Sequence, residues 1–326
     1  MYPIHNILVA IKDPRAASHP SVDKAAVIAA ALDAQVQLFH AIDAPVYSDL
    51  DVVDSLPQIE LRQRDLQLQL LEVIAAPLRR RGLSVTTAVE WDFPVHEAII
   101  RGAARFDANL IVVADHATVH HMSWLLRYTD WELLRASPAP VLLVKSPHPY
   151  RRPVILAALD PTHAFAKPAA LDDEILRFSA TLADALRGAV HAVHGYVPVP
   201  ANLPPELLSN SAELGKTVAA AEKAAIDALR KVTEPMGISK ARLHVVGRHP
   251  SDAVLEVARH TGSQIVALGS LSRSGLDRLI IGNTAEALID RLHCDILVVK
   301  PTAFRHKFAR MPRVARVVAS PALGAY

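Results

Sequence analysis

The chain has 326 residues, 51% of them hydrophobic, and a formal net charge of +2. This length accommodates two domains of ordinary size. No apolar run approaches the ~20 residues that a membrane-spanning helix needs, and the run at residues 7–11 ends at Lys12. We therefore expect neither a membrane span nor a signal peptide. The single cysteine, Cys294, excludes an internal disulfide and fits a cytoplasmic location.

The positive charge is concentrated at the carboxyl end of the chain. Residues 304–326 contain no acidic residue and five basic ones, Arg305, Lys307, Arg310, Arg313 and Arg316. Without these five, 30 basic side chains stand against 33 acidic ones, a net charge of −3. The mildly acidic body predicts no nucleic-acid binding by the folded part. The tail is predicted to be a disordered extension, with contact to an anionic surface as the alternative.

Two copies of one unit follow each other at an offset of about 150 residues. The matching segments are residues 7–11 with 154–159, 36–40 with 190–194, 94–100 with 250–255, 110–113 with 265–268, and 140–145 with 295–300. We expect domain 1 at residues 1–146, a proline-rich linker at 147–153, and domain 2 at 154–303.

Near-continuous apolar runs alternate with helical patterns in each copy, which predicts parallel strands joined by helices. Five strands and four helices per copy predict a flavodoxin-like, doubly wound α/β domain. The predicted helices include residues 21–32, 59–81, 171–186 and 211–232. Gly82 and Gly237 stand where helices are expected to stop, and Pro77 is expected to kink or shorten the second helix.

The segment from Leu268 to Glu286 has the composition of a phosphate-binding loop. An apolar run ends at Gly269, a hydroxyl-rich basic stretch follows, and Gly282 precedes a helix that Asn283 can cap. Backbone N–H groups and the helix dipole favour an anion there. Ligands of open α/β sheets bind at the carboxyl edge of the strands. The alternative is a phosphate-shaped loop that has lost its ligand.

These features resemble the universal stress protein family, in particular its tandem, two-domain bacterial members of the E type, over residues 4–301. The residues that carry the resemblance are 268–269, 273–275, 282–286 and 294–301, with 129–135 in the first half. Nucleotide-binding members carry a loop of the form G-x-x-G, nine residues, then G-S/T. Gly269 and Gly282 fill the first and third glycine positions with the nine-residue spacer intact, whereas Ser272 replaces the second glycine and Asn283 the hydroxyl residue.

The resemblance implies that domain 2 binds an adenine nucleotide, ATP with or without Mg²⁺. Asp160 would contact the adenine or ribose, with Ala158 and Leu159 under the base. The residues that would hold the phosphates are Gly269, Ser270, Ser272, Arg273, Ser274, Gly282, Asn283 and Thr284. The family also implies that the last strands of the two halves pair antiparallel, as an intramolecular pseudo-dimer.

The first half departs from this pattern. Ala114 and Tyr128 stand where the second half has glycines, and Asp130 is predicted near a helix start, where it would repel a phosphate. Lys12 precedes Asp13 and shifts the register of the expected base contact. We therefore expect that domain 1 does not bind ATP in the family's manner.

No catalytic constellation is visible, since the chain has neither a Walker A sequence nor a G-x-S-x-G elbow. We expect at most slow ATP hydrolysis, which suits a regulatory switch. The alternative is a nucleotide-free scaffold, or a carrier of a small lipid-like molecule that uses the altered pocket of domain 1. The sequence leaves open whether two chains form a homodimer.

The histidines offer one candidate metal site. His116 and His120 are four residues apart, but a structural zinc usually needs four ligands, and a plain loop is an equally good interpretation. His40 and His194 occupy matching positions of the two copies, which predicts a shared packing role.

Overall fold

The computed structural model describes residues 2–42, 56–92, 94–115, 123–162, 169–199, 211–270, 283–301 and 317–320. The described residues form two compact units. The N-terminal unit contains the described part of residues 3–150 together with 317–320, and the C-terminal unit contains Tyr2 and the described part of residues 151–301. None of the helices in these ranges combines the length and apolar composition needed to cross a membrane.

The N-terminal unit alternates strands and helices along the chain. Its elements are β1 (Asn6–Ala10), α1 (Pro20–Leu32), β2 (Gln35–Ile42), α2 (Leu56–Arg80), β3 (Val85–Trp91), α3 (Val95–Arg105), β4 (Leu110–Ala114), α4 (Ser123–Ala136), β5 (Val141–Val144) and β11 (Val317–Ser320). The strand order is β11-β3-β2-β1-β4-β5. Strands β1 to β5 pair in parallel, as the sequence predicts.

The C-terminal unit repeats this arrangement. Its elements are β6 (Val154–Ala158), α5 (Ala169–Ala185), β7 (Ala189–Gly195), α6 (Ser211–Thr233), β8 (Leu243–Val246), α7 (Pro250–Thr261), β9 (Ile265–Gly269), α8 (Asn283–Arg291) and β10 (Asp295–Val299). The strand order is β8-β7-β6-β9-β10, and every pair in it is parallel. Each unit is therefore a doubly wound α/β domain, which confirms the predicted fold class.

The apolar strand runs form the core of both units. Ile7, Leu8 and Val9 of β1 are fully buried, as are Ile155, Leu156 and Ala157 of β6. Burial of consecutive residues requires helices on both faces of the sheet, because successive strand side chains point to opposite faces. This is why the strands read as unbroken apolar runs rather than as alternating patterns.

The predicted helix boundaries agree with the structure to within a few residues. Gly82 and Gly237 have φ of 87° and 63°, left-handed values that end the preceding helical segments. Pro77 does not shorten α2, which continues to Arg80. The pyrrolidine ring is thus accommodated within the last turn of the helix.

A short strand lies in the carboxyl-terminal segment that the sequence predicts to be disordered. Strand β11 pairs antiparallel with the edge strand β3, with Val317 opposite Glu90 and Ser320 opposite Thr87. The prediction is wrong for these four residues, because a Val-Val-Ala run favours strand pairing. The five basic residues of the tail lie outside the described residues.

Candidate functional site

The carboxyl ends of β6 and β9 define a crevice in the C-terminal unit. The chain reverses its winding between these neighbouring strands, and ligands of doubly wound sheets bind at such a switch point. β6 ends at Ala158 and is followed by Leu159 and Asp160, while β9 ends at Gly269 and is followed by Ser270. Five of the predicted site residues thus lie on adjacent strand ends.

Backbone and imidazole hydrogen bonds hold Leu159 in place. Its N–H donates to the carbonyl of Val193 over 2.9 Å, and its own carbonyl accepts from Nδ1 of His194 over 3.2 Å. Leu159 is 5% exposed and His194 2%. The buried imidazole therefore fixes the chain at the point where it leaves the sheet and turns towards Asp160.

Asp160 is positioned by a second carboxylate that the sequence reasoning missed. The backbone N–H of Asp160 donates to both carboxylate oxygens of Asp172, at 3.3 and 3.2 Å. Thr162 Oγ1 donates to the Asp160 carboxylate over 3.2 Å. Asp172 lies in the first turn of α5 and is buried. An acidic residue in a first turn is an ordinary helix feature, so it gave no signal of this contact.

Gly269 has a packing role besides the predicted phosphate role. A Cβ at this position would lie 2.7 Å from Leu171 Cδ2 and 3.0 Å from Ile175 Cδ1, both on α5. Such distances are shorter than a carbon–carbon contact allows. The missing side chain thus lets α5 approach the end of β9, so this glycine alone does not demonstrate phosphate binding.

Ser270 binds a buried lysine that the sequence reasoning also missed. Its N–H donates to the carbonyl of Val299 over 3.0 Å, and its Oγ accepts from Lys300 Nζ over 3.0 Å. Both side chains are fully buried. Burial lowers the pKa of the Lys300 amine to about 7. The available signal was the repeat, since Lys145 and Lys300 end matching segments.

Four of the six remaining predicted phosphate-binding residues lie outside the described residues, and two lie in α8. Ser272, Arg273, Ser274 and Gly282 lie outside the described residues. Helix α8 begins at Asn283 and includes Thr284, so the predicted helix start is confirmed. The phosphate contacts of all six residues stay predictions.

The N-terminal unit has the same hydrogen bonds at the end of its first strand, but different side chains follow it. The N–H of Ile11 donates to the carbonyl of Phe39 over 2.8 Å, and the Ile11 carbonyl accepts from His40 Nδ1 over 2.8 Å. Ile11 therefore matches Leu159, and Lys12 occupies the position of Asp160. His40 and His194 make the same contact, as their matching positions suggest.

Lys12 forms an ion pair across the crevice of the N-terminal unit. Its Nζ lies 2.8 Å from Oδ2 of Asp130, and the two side chains are 20% and 8% exposed. Burial lowers the pKa of Lys12, which the charge and hydrogen bond of Asp130 partly oppose. A lysine and a carboxylate thus meet where the C-terminal unit presents Asp160.

Asp130 does not lie near a helix start, contrary to the sequence expectation. Helix α4 begins at Ser123, seven residues earlier, whereas α8 begins at Asn283. No glycine occurs from residue 103 to the end of the domain, so this unit has no counterpart of Gly282, which precedes α8. The partner of the Asp130 carboxylate is the Lys12 ammonium, and not the N-terminal end of a helix dipole.

The histidines of the described residues show no metal centre. His191 Nδ1 lies 3.0 Å from His244 Nε2, with the two rings stacked at an interplanar angle of 9°. No group of three or more His, Cys, Asp or Glu residues in the described ranges could hold a metal ion. His116 and His120 lie outside those ranges, so the zinc interpretation stays untested.

Fold and site together define a tandem α/β protein whose second copy places Asp160, Gly269 and Ser270 at the switch point. The model of the universal stress protein family matches residues 3–145 and 155–300. The chain belongs to this family and carries two of its domains in tandem.

Two relatives and one solved structure are similar to this chain over 68% to 94% of its length. Universal stress protein E of Escherichia coli K12 is 27% identical over 314 residues, 92% of this chain and 95% of that protein. The universal stress protein E homolog of Haemophilus influenzae is 29% identical over 227 residues, 68% and 71% of the two chains. A universal stress protein structure from Pseudomonas aeruginosa has a TM-score of 0.67 at 23% identity, covering 94% of this chain and 96% of that one, and shows the shared fold.

Proposed function

We propose that the chain is a cytoplasmic stress-response protein that binds ATP or a related adenine nucleotide in its C-terminal unit and acts as a nucleotide-dependent switch. The convergence of Asp160, Gly269 and Ser270 on adjacent strand ends carries the proposal. Asp160 would bind the adenine or ribose, and Ala158 and Leu159 would lie under the base.

The described residues fit the chemistry of a nucleotide. Asp160 supplies a carboxylate oxygen, a suitable acceptor for ribose hydroxyl or adenine amino hydrogens. Ser270 starts the segment that leads to α8, and Lys300 supplies an amine beside it. The phosphates would lie along that segment, on Ser272, Arg273, Ser274, Gly282, Asn283 and Thr284. Mg²⁺, where present, would compensate the phosphate charge.

The N-terminal unit would not bind nucleotide. Lys12 replaces Asp160 and pairs with Asp130, so the crevice is bridged by side chains of the protein itself. Ala114 ends β4 where Gly269 ends β9. One nucleotide per chain is the expected stoichiometry.

Slow turnover at most is the expected chemistry. Asp160 receives a hydrogen bond from Thr162 and lies where the base or ribose would bind, so it is not placed to activate a water at the phosphates. A protein that holds its nucleotide without rapid hydrolysis suits a switch.

Titration calorimetry with Mg-ATP on nucleotide-stripped protein tests the proposal. We expect one site per chain, weakened by Asp160→Asn and abolished by Gly282→Tyr, which copies Tyr128 of the first half. Asp173→Asn removes the same charge from an exposed position of α5 and is the matched control. It should bind as the wild type does.

The other outcomes of this titration have defined meanings. Two sites per chain would contradict the role assigned to the Lys12–Asp130 pair. No binding at any concentration would favour the scaffold or lipid-like carrier, and a search of the purified protein for a retained small molecule would follow.

A further inference from the structure

Lys300 stands at the base of the nucleotide segment. It follows β10 directly, and its Nζ donates to the hydroxyl of Ser270 over 3.0 Å with both side chains fully buried. Ser270 in turn follows Gly269 and is tied to β10 through the carbonyl of Val299. The lysine thus acts on the first residue that leaves β9 for the predicted phosphate loop.

The same position in the N-terminal unit has a different partner. The N–H of Asp115 donates to the carbonyl of Val144 over 2.7 Å, as that of Ser270 does to Val299. Asp115 therefore matches Ser270, and Lys145 matches Lys300. Lys145 Nζ lies 3.9 Å from the Asp115 carboxylate. Lys145 thus approaches a carboxylate, whereas Lys300 donates to the neutral hydroxyl of Ser270.

The contact with Lys300 uses the Ser270 hydroxyl as an acceptor. A serine hydroxyl has one hydrogen to donate and two lone pairs that accept. Because one lone pair accepts from Lys300, the hydroxyl can donate its hydrogen to another acceptor, and a cationic donor strengthens that second bond. A phosphate oxygen is an acceptor of this kind.

The buried amine is costly for the fold. A charged group loses hydration when it is buried, and this loss lowers the pKa of Lys300 to about 7. An apolar side chain of similar length would avoid this cost. A residue that a fold retains at such a cost is a candidate for a functional role.

We propose that Lys300 is the positioning residue of the nucleotide site, which orients the Ser270 hydroxyl and adds a positive charge that a polyphosphate requires. The proposal rests on the nucleotide binding proposed above. Binding of a phosphate favours the charged amine, so nucleotide binding takes up a proton near neutral pH. Affinity should therefore fall as the pH rises from 6 to 8.

Other titratable groups at this edge must be separated from Lys300. Strand β9, which pairs with β10, is followed by Ser270, which does not titrate in this range. Helix α5 carries Asp172, whose carboxylate accepts a hydrogen bond from the Asp160 backbone. His194 of β7 binds the Leu159 carbonyl, and an imidazole can titrate in the same range. The contribution of Lys300 is therefore measured as the difference between the wild type and Lys300→Arg, since a guanidinium stays charged throughout.

The experiment measures Mg-ATP affinity by calorimetry at pH 6, 7 and 8, in buffers of different ionisation enthalpy that reveal proton uptake. For an amine that titrates near pH 7, we expect about tenfold weaker binding at pH 8 than at pH 6. Lys300→Arg should abolish the proton uptake that Lys300 contributes and flatten the profile. Lys300→Met and Ser270→Ala should bind more weakly at every pH.

Lys145→Met is the matched control, because it removes the equivalent lysine of the other unit and should leave ATP binding unchanged. Melting curves establish that each variant is folded, and Ser270→Ala provides a second reading if Lys300→Met is not. Unchanged affinity and proton uptake in the Lys300 and Ser270 variants would overturn the proposal while leaving nucleotide binding intact. A wild type that binds no nucleotide would overturn both.

Discussion

Lys12 occupies in the N-terminal unit the position that Asp160 occupies in the C-terminal unit. The equivalence follows from matched hydrogen bonds, since each residue comes directly after one whose carbonyl accepts from a buried histidine. The exchange of a carboxylate for an ammonium inverts the charge at the mouth of the crevice. Lys12 meets Asp130 instead, over 2.8 Å.

Removal of Lys12 should destabilise the protein, because it leaves the Asp130 carboxylate buried without its ammonium. We expect Lys12→Ala to lower the free energy of unfolding by roughly 3 kcal/mol, the usual scale for breaking a buried pair. The double variant Lys12→Met/Asp130→Leu should recover most of this loss. Urea unfolding of the single and double variants measures both effects.

An exposed ion pair provides the control for this cycle. Arg248 and Glu256 lie 3.4 Å apart with side chains 65% and 47% exposed. Arg248→Ala should change stability by less than about 1 kcal/mol. A Lys12→Ala variant as stable as the wild type would show that the crevice pair contributes nothing.

The sequence predicts most of the strands and helices and part of the candidate site. Strand ends were recoverable because apolar runs and the repeat mark them, so Asp160, Gly269 and Ser270 were placed on one edge. Asp172 and Lys300 were not, since their partners lie 12 and 30 residues away and only the folded chain brings them together. Spacing along the chain does not identify such partners, although the repeat marks Lys145 and Lys300 as equivalent positions.

Two interpretations failed for physical reasons that pattern reasoning does not weigh. The correspondence of the two copies predicts Asp130 near a helix start, but α4 begins at Ser123, seven residues before it, whereas α8 begins at Asn283. The charge of the tail predicts disorder, yet residues 317–320, which follow the last arginine, pair with β3. The composition averaged over the whole tail does not indicate a strand of only four residues.

Gly269 should not tolerate a methyl group. A Cβ there would lie 2.7 Å from Leu171 Cδ2, so Gly269→Ala requires the fully buried Leu171 side chain to shift against the core around it. We expect a loss of about 1–3 kcal/mol in stability, the usual cost of overpacking. Nucleotide binding should also weaken, because α5 carries Asp172, which holds the Asp160 backbone.

Gly215→Ala is the control for this substitution. Gly215 lies inside α6 with nothing within 4 Å of a built Cβ, so alanine should stabilise the helix by about 0.5–1 kcal/mol. Thermal unfolding of both variants makes the comparison. Equal effects of the two substitutions would contradict the packing role of Gly269.

His40 should make the N-terminal unit sensitive to acid. Burial lowers the pKa of His40, which donates through Nδ1 to the Ile11 carbonyl. Below about pH 6.5, the ordinary value for histidine, the unfolded chain takes up a proton that the folded one does not. Stability is therefore lost as the pH falls below that value.

Two substitutions separate the charge of His40 from its hydrogen bond. His40→Asn can keep an N–H donor near the Ile11 carbonyl without titrating, so it should reduce the loss of stability between pH 7 and 5. His40→Leu leaves the carbonyl without its donor, at a cost of about 1–3 kcal/mol. His5→Asn, at an exposed position, is the control. A wild-type pH profile in His40→Asn would contradict the assignment.

Lys300→Met should stabilise the fold even as it weakens nucleotide binding. The pKa of Lys300 is about 7 when folded and near 10.5 in an unfolded chain. Below pH 7 both states carry the charge and the folded state bears the full cost of burying it. As the pH rises towards 10.5 the cost disappears, because the unfolded state loses its proton as well.

The stability gain of Lys300→Met should therefore be a few kcal/mol, roughly, at pH 6 and approach zero near pH 10. Urea unfolding at pH 6, 8 and 10 measures this gain. The control is Lys231→Met, which replaces an exposed lysine at the end of α6 and should change stability by less than about 0.5 kcal/mol. A gain in stability together with a loss of ATP affinity would show that the amine is kept for the ligand. A variant less stable than the wild type at pH 6 would instead assign Lys300 to the structure, since its bond to Ser270 would then outweigh the cost of burial.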